Sequence, residues 1–242
     1  MIAVTFALPA ESQEFLRSLG GKSRADRHGI PTIRGKIDGH AIEVLHTGVG
    51  EKVCRQRLGK FLSATERIRG GEQGQQLDCL ISAGFAGALA DDLRVGDLLL
   101  AENFSTVDLG ERWSSLSSLP IHVADMLTVP ALIDSSEERV KLTRMSGAGA
   151  VDMETEFIAQ ACGKLGVPLL SLRVISDTPR DLFPAPANVL FDIERQRTRI
   201  LKLATYFLAH PTRVPRLVQF AKRIARARKI LADALITLVN QL

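Results

Sequence analysis

The residues best suited to chemistry are two acids flanking a methionine and a third acid where an apolar run ends: Asp152-Met153-Glu154 in "AVDMETEF" and Asp177 in "SLRVISDTPRD". In open α/β sheets ligands gather at the carboxyl ends of strands, which makes Asp177 a candidate reagent. An Asp two residues before Pro179 also suits a plain turn cap. Asp152 and Glu154 stand where a strand gives way to a helix, a place the helix dipole favours for carboxylates. Capping accounts for one acid and leaves the other over. A carboxylate can accept hydrogen bonds from both hydroxyls of a vicinal diol, and a flexible methionine can pack on a sugar face. The trio therefore points to a ribose pocket. Glu11 in "ALPAES", read alone, is no more than the acid of a helix's first turn.

Two glycine-bearing stretches could bring backbone close to a ligand. "EVLHTGVGEKV" gives strand, Gly48-x-Gly50 and helix, but Val53 stands where a dinucleotide fingerprint needs its third glycine. A dinucleotide-binding dehydrogenase is thereby disfavoured, while a loop offering N–H groups to an anion or to sugar hydroxyls remains open. In "ISAGFAGAL", Gly84 and Phe85 follow a strand, so a flat ligand could lie near the backbone; a tight turn made for packing fits equally well. The sequence has no Walker loop, H-E-x-x-H or G-x-S-x-G, which argues against P-loop, zincin and serine-hydrolase chemistry.

Strand and helix alternate along the elements that must position these groups. Ile2–Ala7 reads as a strand and Pro9–Leu19 as a helix with proline in its first turn. Ile33–Ile37 and Ala41–His46 flank Asp38-Gly39, a strong hairpin signal. A helix is expected from Thr47–Gly50 to about Ala64, a polar loop over Gly70–Gln76, and strands at Leu77–Ser82, Gly96–Ala101 and Ile121–Val129. Asn103–Pro120 reads as a loop, Ser135–Met145 and Glu154–Leu165 as helices, and most of 188–240 as two more. The pattern implies one α/β unit: a single mixed, mostly parallel sheet flanked by helices.

At 242 residues, with 45% hydrophobic and 24% charged residues, the chain suits an ordinary globular domain. Aromatics make up 5%, so its core must be aliphatic. Cys54, Cys79 and Cys162 show neither disulfide-framework nor zinc spacing, and fit a reducing cytoplasm. No signal peptide or membrane-spanning run is read.

Taken together, "ALPAES", "HTGVG", "SAGFAGALADDLRVGDLLLAE" and "GAVDMETEFIAQACGKLGVPLLSLRVISD" resemble the nucleoside phosphorylase superfamily, nearest its methylthioadenosine/S-adenosylhomocysteine nucleosidases. The resemblance covers most of residues 1–180. It implies a purine N-ribosidase needing no cofactor or metal, cytoplasmic and homodimeric, with a small nucleoside as substrate. In those terms Asp177 protonates purine N7, Glu154 holds the ribose diol with Met153 against the sugar, and Glu11 activates the attacking water. Arg173 lies close to that acid, while Asp152, Gly48, Gly84, Phe85 and Ser176 join the substrate side. Bond cleavage places positive charge on the sugar and negative charge on the base, so a proton donor and nearby carboxylates both help.

Phe85 replaces the small or hydroxyl residue usual in the nucleosidases, and the stretch before "AVDM" is short, lacking their base-stacking segment. The shortened middle, "SGAGAVDMET" and the long basic tail resemble the hopanoid-associated relatives, for which the reaction would be phosphorolysis of a membrane-resident adenosyl lipid, with phosphate as second substrate. A non-catalytic, membrane-associated nucleoside binder is a third reading; the full set Glu11, Glu154 and Asp177 argues against it. The tail forms its own segment, residues 211–242 beyond a domain of 1–210. Leu217, Phe220, Ile224, Leu231, Leu235 and Leu238 make an amphipathic stripe beside Arg216, Lys222, Arg223, Arg226, Arg228 and Lys229. Such a helix either packs on the domain with a solvated basic face or touches an anionic membrane peripherally. Without interleaved aromatics it does not suggest nucleic acid.

Overall fold

The computed structural model describes residues 1–68, 77–107, 120–181, 183–192, 195–196 and 200–242. The expected loop at Gly70–Gln76 and most of the one at Asn103–Pro120 lie outside them. The first half of the chain gives β1 (Ile2–Phe6), α1 (Pro9–Ser18), β2 (Gly20–Arg27), β3 (Ile30–Ile37), β4 (His40–His46), α2 (Glu51–Ile68), β5 (Cys79–Ala88) and β6 (Leu98–Ala101). Then come β7 (Ile121–Ala124), β8 (Met126–Thr128), α3 (Ser136–Ser146), β9 (Ala150–Asp152), α4 (Thr155–Leu165) and β10 (Leu169–Asp177). The chain closes with α5 (Ala187–Leu190), α6 (Ile200–Ala209) and α7 (Val214–Val239).

One sheet runs β2-β3-β4-β1-β5-β10-β6-β7, with β9 joined to both β5 and β8. Its centre is parallel: β4, β1, β5 and β10 all point the same way. Every residue of β1 and β10 is buried, as continuous apolar runs covered on both faces require. Antiparallel pairs sit outside that centre, between β2 and β3, β3 and β4, β10 and β6, and β5 and β9. Asp38 and Gly39 both take positive φ, 46° and 93°, which closes the β3–β4 hairpin as the sequence implies.

Helices cover both faces. On one, Phe15 and Leu19 meet Leu231, Leu235 and Leu238 over β1, β5 and β10; on the other, Leu58 and Phe61 of α2 meet Ile158 and Cys162 of α4. The three cysteines are free and buried. The second half of α7 thus covers part of one face of the sheet. Two strands differ from expectation. Polar "GGKSRADR" is β2, an edge strand whose side chains are mostly exposed and therefore carry no apolar alternation. The run expected over Ile121–Val129 breaks at Asp125 into β7, beside β6, and β8, beside β9.

Candidate active site

The four parallel central strands deliver the site from their carboxyl ends. β1 leads into α1 and Glu11, β4 into Thr47–Gly50, β5 carries Gly84 and Phe85, and β10 carries Arg173 and ends at Asp177. β9 ends at Asp152, with Met153 and Glu154 in the turn before α4. Glu11, Glu154, Arg173, Gly84, Phe85 and Thr5 line one narrow cavity.

Glu11 is almost wholly buried and accepts hydrogen bonds from the Leu8 N–H at 2.9 Å and the Phe85 N–H at 3.4 Å. Burial pushes its carboxyl up; those N–H groups and the charge of Arg173 pull against it. A Cβ on Gly84 would stand 3.4 Å from Glu11 Oε1, so the strand passes close beneath the acid. Phe85 contributes its amide here, while the half-buried residue also packs against the core. Thr5 lines the same cavity, and its Oγ1 is buried with no hydrogen-bond partner in the protein. That group was not singled out from the sequence, where it is one threonine within an apolar strand.

Glu154 accepts the Gly50 N–H at 2.7 Å. Burial, and then the nearby charge of Asp152, push its carboxyl up to about 8. Met153, half-buried, precedes it in the turn. Asp152, expected on the substrate side, is heavily engaged by protein groups. Its carboxylate accepts from Arg173 Nε at 3.2 Å and Nη2 at 3.1 Å, from Thr128 Oγ1 at 2.9 Å, and from the Thr155 N–H and hydroxyl. It is a support that holds Arg173. The arginine also donates to Ser82 O at 2.6 Å, Ser82 Oγ at 2.8 Å and Thr155 Oγ1 at 2.5 Å, so its ion pair is with Asp152 and its charge reaches Glu11 only from across the cavity.

The Thr47–Gly50 loop does not offer the free N–H groups that its glycines suggested. Thr47 N–H binds Phe6 O, Gly48 N–H binds Ala7 O, Val49 N–H binds Gln196 Oε1, and Gly50 N–H binds Glu154. Gly48 is needed for its backbone, with φ of 80°, and a Cβ there would meet Val53 Cγ1 at 2.5 Å. The loop shapes the wall and holds Glu154 in place.

Asp177 does not line the cavity with the other two acids. Its neighbour on β5 is Gly87, whereas Arg173 pairs with Gly84, so the two groups stand roughly 10 Å apart along the sheet. Ser176 Oγ donates to Asp177 Oδ1 at 2.6 Å. The other carboxylate oxygen makes a buried ion pair with Arg139, a residue the sequence reading passed over. Arg139 is 2% exposed, donates also to Ala88 O at 3.1 Å and Ile133 O at 2.9 Å, and keeps Nε without a partner. Burial pushes the Asp177 carboxyl up while Arg139 and the Ser176 hydroxyl draw it down. Among the described residues no cluster of His, Cys, Asp and Glu could hold a metal ion.

The fold is that of an α/β protein in which buried acids gather in one cavity toward the carboxyl ends of the strands of a mixed sheet. The chain belongs to the Phosphorylase superfamily, whose family model matches residues 1–115 and 111–209. It is 25% identical over 198 residues to a 5'-methylthioadenosine/S-adenosylhomocysteine nucleosidase of Haemophilus influenzae, covering 69% of this chain and 82% of that one. Its fold is similar to an adenine-bound putative nucleosidase of the same type from Borrelia burgdorferi, with a TM-score of 0.70, 16% identity and all of both chains covered. It is also similar to the futalosine hydrolase of Helicobacter pylori, with a TM-score of 0.66 and 18% identity over 100% of this chain and 97% of that one.

Proposed function

We propose that the protein hydrolyses the N-ribosidic bond of a 5'-modified adenine nucleoside. The observation that carries this reading is the buried pair of acids, Glu11 and Glu154, facing one cavity beside Arg173, with Asp177 further along the same strand ends. Glu154 would accept the ribose hydroxyls, with Met153 against the sugar. Water seated between Glu11 and the unpartnered Thr5 hydroxyl would attack the anomeric carbon, and Glu11 would take its proton. The bond's electron pair leaves with the base, and Asp177, protonated, delivers a proton to N7. Growing positive charge on the sugar meets two carboxylates in a site sheltered from water, where such charges act strongly.

Hydrolysis is favoured over phosphorolysis because the cations that could serve phosphate are engaged. Arg173 is bound by Asp152, Ser82 and Thr155, and Arg55 by Glu51 and Gln160. The Thr47–Gly50 amides are engaged too. The nucleosidase relative supports adenine as the base. The test is incubation with methylthioadenosine, with and without phosphate. Adenine and the free ribose are expected in both; ribose 1-phosphate formed only with phosphate would make the enzyme a phosphorylase. No adenine in either would sink the reading.

A further inference from the structure

Charge is divided very unevenly along this chain. Of its 31 Lys and Arg, eleven fall within residues 195–232, which contain no Asp or Glu; elsewhere 20 cations face 27 acids. A chain of net charge +4 thus carries +11 on one continuous segment and −7 on the remainder.

Two consecutive helices of that segment also present apolar side chains to solvent. On α6, Leu203, Tyr206 and Phe207 pack inward on Ala185, Val189 and Leu217. The opposite face is Leu201, Ala204, Thr205 and Leu208, spaced three, four and seven residues apart and all exposed. Leu201 is 84% and Leu208 81% exposed. The first half of α7 adds Val214, 40% exposed, and Val218, 48% exposed, beside the exposed Arg216, Lys222 and Arg226. The stripe from Leu217 to Leu238 faces the protein and so is not the surface in question. Isolated exposed leucines are ordinary; four large apolar residues on adjoining helices in an acid-free basic segment are not.

We propose that α6 and the first half of α7 form a docking surface for an anionic lipid bilayer. The leucines and valines would enter the interface while Arg216, Lys222 and Arg226 meet the headgroups, the division of labour in helices that lie on membranes. No described helix is long and apolar enough to span a bilayer, so the contact is peripheral. A second copy of the chain is a poor occupant, since pairing this face with itself brings two strongly basic segments together. Nucleic acid would satisfy the charge and leave the exposed leucines unexplained. The surface adjoins the site: Arg223 of α7 pairs with Asp181 at 2.5 Å, and Phe220 packs edge-on to Phe183, both just beyond Asp177. Docking there sets the end of the sheet that bears the site toward the membrane. The proposal stands on surface chemistry alone and does not require the reaction proposed above.

The full-length protein should co-sediment with vesicles of phosphatidylcholine containing phosphatidylglycerol, and not with phosphatidylcholine alone. High salt should release it. Arg216→Glu, Lys222→Glu and Arg226→Glu together should lower partitioning by at least on the order of a hundredfold, since each cation contributes about a fold of several in binding. Leu201→Gln with Leu208→Gln leaves the charge intact and should lower it by about tenfold or more. Both variants change exposed positions, and unchanged circular dichroism and melting would show that they remain folded. Three outcomes overturn the proposal: no binding to anionic vesicles by folded wild-type protein, binding that the leucine variant does not weaken, or a wild-type dimer that the leucine variant dissociates. Tight binding to a duplex oligonucleotide without vesicle binding would likewise reassign the surface to nucleic acid.

Discussion

Asp177 is held between opposing influences, and its balance decides whether it can donate a proton. Burial favours the neutral acid, while Arg139 favours the carboxylate. Replacing Asp177 with Asn removes the transferable proton and should lower kcat by about 10²–10⁴-fold, as loss of a general acid does. Retention of more than about a tenth of wild-type turnover would return Asp177 to the role of turn cap. Arg139→Met tests the other half of the pair. Without the guanidinium, Asp177 keeps its proton to higher pH, so the alkaline limb of the kcat/KM profile should move upward. A purely structural arginine would lower activity without moving that limb. Removing one partner of a buried pair also costs about 3–5 kcal/mol where the remaining group stays charged. The loss in urea titrations should therefore shrink in Arg139→Met plus Asp177→Asn. Arg139 was illegible in the sequence because "SSEERVKLTRM" has the mixed charges of a solvated helix. Only the path of α3 across the ends of β5 and β10 buries it. Glu154 and Asp177 could be singled out because each follows an apolar strand, whereas Glu11 stood out only through the resemblance to the family.

At the scale of elements, β5 is the strand on which the site is hung, and its glycines explain why. It pairs with β1, β10 and β9, so its backbone cannot shift to suit a bulkier residue. A Cβ on Gly87 would stand 2.8 Å from Arg139 Nη1 and 3.0 Å from Asp177 Oδ2. Gly87→Ala should therefore force the ion pair apart, reduce activity by about tenfold or more and cost on the order of 1–3 kcal/mol by overpacking. A variant with wild-type turnover and an unchanged pH profile would show that the pair plays no part in the reaction. The elements that could be read directly are those whose local chemistry matches their place. Asp38-Gly39 supplies positive φ where the hairpin needs it, and Gly166 ends α4 in the left-handed region. β2 could not be read, because an exposed edge strand has no face whose burial would imprint alternation. The Thr47–Gly50 loop misled for a related reason: glycine spacing reveals a tight turn but not the partners that take up its amides.

For the whole molecule, three buried carboxyls raised by burial couple the site to stability. Glu11, Glu154 and Asp177 all hold their protons to higher pH folded than unfolded. An unfolded Glu titrates near about 4.3, so the folded chain binds more protons from there upward. The stability contributed by a protonated Glu154 is complete below that range and is lost as pH rises through its folded value of about 8. Activity should move in the opposite direction, because the ionised form is the better partner for the sugar's developing charge. Glu154→Gln retains the shape of the protonated side chain and cannot ionise. Its stability relative to wild type should therefore climb with pH, reaching on the order of 5 kcal/mol by about pH 9 in urea titrations. The rise of kcat/KM with an apparent pKa near 8 should vanish in the variant, and ribonucleosides should suffer more than 2'-deoxynucleosides because charged hydrogen bonds to the diol are worth about 1.5–3 kcal/mol. A variant that parallels wild type in stability across that range would place an ionised Glu154 in the resting protein. A site that gives up stability in order to keep a carboxylate poised is a common exchange in enzymes, and here the same substitution should reveal both sides of it.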